Sequence, residues 1–239
     1  MKRHIVFSCF LFLLSFHIYG QKKDSNVVKR NSIGIIFSND YAYRSLTSDG
    51  SSISNLISQS RDEMEIPKYS YTAGISYMMS AFIKNFLIES GLFFSDKGYG
   101  TKLVNAYFPS GTTGTYSVDY KYYYLDIPLL ANYMLQYKKI RFYVTTGVAL
   151  NIFITASTNT ILNYTDGPTF TYSEKNDPRL SSLDLSFNAG IGASYDISKR
   201  IFIKIEPAYR RFLTPDVSNV PIKEYPYSFG IITGVYYRF

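Results

Sequence analysis

What most constrains this chain is a period-two alternation of side-chain character that returns eight times. The last segment shows it most clearly. From Tyr227 onward, Phe229, Ile231, Thr233, Val235, Tyr237 and Phe239 share one face, and Ser228, Gly230, Ile232, Gly234, Tyr236 and Arg238 share the other. Successive side chains of a strand point to opposite faces, so this is a strand with one apolar and one small or polar surface. Segments 32–43, 68–80, 86–96, 120–134, 140–154, 182–195 and 201–212 repeat the pattern. Each is about as long as the roughly 9–11 residues a tilted strand needs to cross a bilayer. Leu87, Phe93 and Leu130 break the pattern on the polar face, and Asn39 and Ser90 break it on the apolar one. Pro128 and Pro207 fall inside strands, where a residue without an N–H predicts a bulge or bend.

The connections carry a second signal, because they alternate in length. Residues 44–67, 97–119, 155–181 and 213–225 are long and rich in Ser, Thr, Asn, Gly and Pro, whereas 81–85, 135–139 and 196–200 are short. This rhythm predicts an all-β fold: a closed antiparallel transmembrane β-barrel of eight strands, with long extracellular loops and short periplasmic turns. Charge follows the same division. The tail at 21–31 and the short turns together net +7, and the four long loops net −3. Basic residues beside an anionic leaflet are stabilised there, so the partner implied is outer-membrane lipid, not nucleic acid. The 24 tyrosines suit two membrane–water boundaries.

Lys2 and Arg3, the apolar run from Ile5 to Phe16 and the Gly20–Gln21 junction read as a secretory signal peptide. The predicted organisation is a signal peptide at 1–20, a periplasmic tail at 21–31 and the barrel domain at 32–239. Cys9, His4 and His17 all lie in the signal, so no Cys or His follows it. Disulfides, a thiol nucleophile and a histidine base are therefore excluded from the remainder. The expectation is no catalytic residue, no metal site, no cofactor and no enzyme activity. Asp62, Glu63 and Glu65 lack the ordered spacing of a calcium loop. Gly190 and Gly192 lie within an alternating strand with no helix after it, so they read as close-packing positions.

The face opposite the apolar one carries four acids and four bases: Glu89, Asp126, Arg141, Asp184, Lys204, Glu206, Arg210 and Arg238. A ligand-holding soluble barrel would turn its apolar face inward; here the apolar face turns to lipid and the charges to the lumen. The lumen of eight strands is just wide enough for side chains to fill it, and buried charges persist when paired. The expectation is a salt-bridged plug, with a narrow channel as the alternative.

The stretch Tyr124-Leu-Asp-Ile-Pro-Leu-Leu-Ala-Asn-Tyr133 resembles a strand of the PorT-like outer-membrane β-barrel family. Phe142-Tyr-Val-Thr-Thr-Gly147, Ala189-Gly-Ile-Gly192, Glu206-Pro-Ala-Tyr-Arg210 and Gly234-Val-Tyr-Tyr-Arg-Phe239 are similar in kind and fall in the expected order. The resemblance implies an eight-strand barrel in the bacterial outer membrane. Its namesake takes part in protein secretion, so it also implies a non-catalytic structural or assembly role supporting a secretion or envelope machine. The terminal Phe239 resembles the aromatic signal read by the barrel-assembly machinery. The other reading is a surface-exposed binding protein or adhesin acting through the long outer loops.

Overall fold

The computed structural model describes residues 31–81, 85–107, 113–137, 140–165, 167–176, 180–217 and 220–239. The expected signal peptide and all of the tail before Asn31 lie outside them. The elements are β1 (Ser32–Ser48), α1 (Ser52–Met64), β2 (Glu65–Ile66), β3 (Lys68–Ser80), β4 (Phe86–Thr101) and β5 (Val104–Tyr107). There follow β6 (Thr113–Tyr137), β7 (Ile140–Tyr164), β8 (Thr169–Asn176), β9 (Leu183–Asp196), β10 (Ile201–Phe212) and β11 (Ile222–Arg238).

Eight of the strands close a ring. Each neighbour in the order β1, β3, β4, β6, β7, β9, β10, β11 is paired antiparallel, and β11 returns to β1 from Ser32↔Arg238 to Ser48↔Ile222. Closure satisfies every strand edge within the apolar band, which a bilayer interior requires. Ile35, Ile75, Leu129, Val144, Ile191 and Val235 point outward and are exposed. Two aromatic girdles border them, with Tyr41, Tyr69 and Phe229 towards the loops and Tyr133, Tyr195 and Tyr237 towards the turns. Four of the five exceptions to alternation have physical explanations. Phe93 is buried in an inner apolar cluster with Ile36, Met78, Phe202 and Tyr236, and Leu87 packs against it. Leu130 is buried too. Outward-facing Ser90 donates to the Pro128 carbonyl at 2.7 Å.

Two expectations need correction. Pro128 and Pro207 each coincide with an interruption of pairing on one side only, and the register is the same on both sides of it. The register shift of β6 on β7 lies instead between Tyr123 and Tyr124. The segments expected as long loops are also largely ordered. Strands run on into them, α1 and β2 occupy the first, β5 the second and β8 the third. In β4 the extension passes through Gly98, whose φ of 115° suits glycine and where a Cβ would run into the Tyr120 carbonyl oxygen.

Candidate functional site

The lumen is built in layers of inward-pointing side chains. At the turn end, Arg141 and Arg238 converge on Asp196, with Arg238 Nη2 2.9 Å from its Oδ1. Both guanidinium groups lie beside the Phe202 ring, which stacks on Tyr236 at 4.9 Å. Above them, Lys204 Nζ lies 2.8 Å from Glu89 Oε2 and 2.8 Å from Glu206 Oε2. Glu89 also accepts from Ser76 Oγ (2.6 Å), Asn132 Nδ2 (3.2 Å) and Tyr236 OH (3.2 Å). A third layer pairs Arg210 with Asp40 at 2.7 Å and Lys97 with Asp126 at 2.8 Å. Thr72 donates to Asp40, and Ser95 and Asn151 donate to Asp126. Charges removed from water persist only with partners and hydrogen bonds of this kind.

The space left between these layers is small. One lumen cavity bordered by Lys97, Asp126, Asn151 and Arg210 measures about 30 Å³, and another by Asn132, Arg141 and Lys204 about 20 Å³. Each has room for one or two water molecules and no more.

Towards the outer mouth the filling becomes aromatic. Tyr99, Tyr122, Tyr124 and Phe212 form a buried cluster, and Lys97 Nζ sits 5.0 Å from the Tyr124 ring centre. Helix α1 is capped by Ser51, whose side chain accepts from Ser54 N, and it leans Arg61 into this mouth. Arg61 contacts Glu65 (2.7 Å), Glu224 (2.8 Å) and the Tyr99 hydroxyl (2.8 Å), while Arg44 binds Asp62 (2.5 Å) and Glu65 (2.6 Å). Asp216 seals one side. Its N–H donates to Glu224 O and its carbonyl accepts from Ser181 N, which ties the connection after β8 to the one after β10. Its side chain is wholly buried, and burial together with Glu224 and Asp184 raises its carboxyl pKa to about 9.

Beyond the mouth the wall continues as an open sheet. β6 and β7 have 25 residues each. At about 3.3 Å per residue and about 40° of tilt they rise roughly 60 Å, more than twice the ~25 Å apolar band. At the tip the order is β5, β6, β7, β8, so this crest belongs to no closed ring.

Comparison with known proteins settles the family. The outer membrane protein beta-barrel domain family matches residues 42–213. The chain belongs to that family. This member is a barrel of the bacterial outer membrane. A search of curated proteins returns no match. Among solved structures the barrel is similar to Neisserial surface protein A, with 12% identity, 87% of this chain and 97% of that one covered, and a TM-score of 0.46. Ail of Yersinia pestis, its attachment invasion locus protein, shows 12% identity over 89% and 100%, with a TM-score of 0.38. A major outer membrane protein from Thermus thermophilus shows 9% identity over 89% and 100%, with a TM-score of 0.44.

The eight charged residues singled out from the sequence occupy several separate groups. Glu89, Lys204 and Glu206 meet in one, and Arg141 and Arg238 share another. Asp126 and Arg210 belong to the third layer. Asp184 stands apart near the mouth, accepting from Thr214 Oγ1 at 3.0 Å. Sequence reasoning missed the partners Asp40, Lys97 and Asp196. Asp40 and Asp196 keep the parity of the polar faces of β1 and β9, so alternation carried the signal for them. Lys97 keeps the parity of Glu89, Gly91 and Ser95 on the polar face of β4, but it lies one residue beyond the segment 86–96 that alternation marks as strand. Asp62 and Glu65 hold Arg44, and Arg61 also binds Glu65.

Proposed function

We propose that this barrel is a non-conducting, non-catalytic surface protein that engages a partner through its outer crest. One observation carries the reading. The lumen is packed with paired charges, while the same strands continue past the apolar band as an open sheet. The two lumen cavities among these charges, about 30 and 20 Å³, are too small to hold a hydrated ion, which supports the non-conducting reading. The absence of His and Cys after residue 20 supports a non-catalytic role. Export by the signal peptide at 1–20 and delivery to the barrel-assembly machinery through Phe239 belong to the same reading.

The secretion-assembly role implied by the PorT-like resemblance makes a different demand, namely contacts at the periplasmic turns or tail. A photo-cross-linking residue placed at Tyr172 in the crest, or at Lys199 in a turn, separates the two in living cells. Adducts from Tyr172 and none from Lys199 are expected. The reverse pattern would replace the crest reading with the assembly one.

A further inference from the structure

We propose that the free edge of β8 takes up an extended polypeptide segment, antiparallel, as one more strand of the crest. The proposal rests on the crest reading above and names the chemistry of the partner. β8 pairs with β7 from Asn163↔Thr169 to Ala156↔Asn176 without a register shift. Among the described residues no strand pairs with its other side. In an antiparallel ladder alternate residues turn both N–H and C=O to the same neighbour. Every second residue of β8 therefore presents a donor and an acceptor to the open edge. Natural edges are blunted by proline, bulges or a covering segment. Residues 169–176 contain no proline, and their only charges, Glu174 and Lys175, sit at the end nearer the barrel.

The side chains beside this edge define what fits it. Phe170 and Tyr172 lie on one face with ring centres 6.5 Å apart, and Tyr164 meets Phe170 edge-on at 5.9 Å. Phe170 is 43% exposed and Tyr172 59%. Thr169, Thr171 and Ser173 line the other face and are exposed as well. An incoming strand that alternates apolar or aromatic residues with small polar ones extends the ring ladder on one face and meets hydroxyls on the other. A second copy in the same membrane presents its β8 in the same direction, so it offers only the parallel ladder, the weaker of the two. A separate, unanchored segment is free to approach antiparallel, and that is the occupant assigned.

The test uses the full barrel in detergent micelles and a labelled peptide as long as β8 that alternates threonine with valine and tyrosine. Two further probes carry N-methyl groups, one on every threonine and the other on every valine and tyrosine. A strand shows only one of its edges to β8. One methylated probe is therefore expected to bind about tenfold or more weaker, and the other as well as the parent. Amide exchange across residues 169–176 is expected to slow when the parent binds. Absence of binding, equal loss with both probes, or binding without slowed exchange would overturn the proposal. Thr171→Pro and Tyr172→Pro add a second arm, because adjacent residues face opposite edges. One variant is expected to keep the folded, heat-modifiable barrel and lose the peptide; binding by both folded variants would also overturn it. If edge-dependent binding fails while Tyr172 still cross-links in cells, strand addition falls and the crest reading stands. If both fail, both readings fall.

Discussion

Lys204 answers two acids at once, and that makes it the most consequential single side chain in the lumen. It is buried between Glu89 and Glu206, each buried as well. Lys204→Met leaves two carboxylates without their counter-charge and is expected to cost about 3–5 kcal/mol. Denaturant titration of the barrel in detergent measures the loss. Adding Glu89→Gln and Glu206→Gln to the same chain is expected to recover most of it, since no charge then lacks a partner. Asp216 gives the pH dependence. Its carboxyl holds a proton up to about pH 9 when packed, but releases it in the ordinary carboxylate range when the connections open. The packed mouth binds more protons than the open one, so closure is strongest in acid. The advantage is lost steadily as pH rises from the ordinary range through about 9. Amide exchange at 180–182 and 213–217, corrected for intrinsic rates, is expected to quicken along that interval. Asp216→Asn is expected to flatten the profile.

Strands were legible wherever one face met lipid and the other packed charge, because both environments enforce the same period. Segments 68–80 and 201–212 coincide with β3 and β10, and the other six differ from their strands mainly at the loop ends. The misses cluster outside the apolar band, where both faces of a strand meet water and alternation has nothing to enforce it. β5, β8 and the outer ends of β6 and β7, residues 113–119 and 155–164, fall in segments expected as loops for that reason. The site divides in the same way. Inward parity marked Glu89 and Lys204, but which acid meets which base depends on the stagger between strands, which one strand's pattern does not contain. Gly98 shows how an irregular position governs its element. Gly98→Ala meets both the positive φ and the Tyr120 carbonyl, with an expected cost of about 1–3 kcal/mol. Thermal unfolding of the variant in detergent checks this, and a stability equal to that of the parent would remove Gly98 from the argument.

At the scale of the whole molecule, the filled lumen predicts electrical silence. Reconstituted into a planar bilayer, the barrel is expected to give no conductance step above background, and regular steps would move it to the channel class. The ring also joins the beginning of its sequence to the end, for β1 and β11 pair along their whole lengths and Phe239 N–H reaches Asn31 O at 3.0 Å. That seam imposes an order of events. Until the last strand arrives, every shorter form of the chain carries two unsatisfied edges, and no earlier pairing can substitute for the closing one. The interval between emergence of β1 and capture of β11 is therefore the period of exposure to proteases and to mispairing. Residues that shorten this wait raise the yield at the cell surface even when they leave the finished ring no more stable.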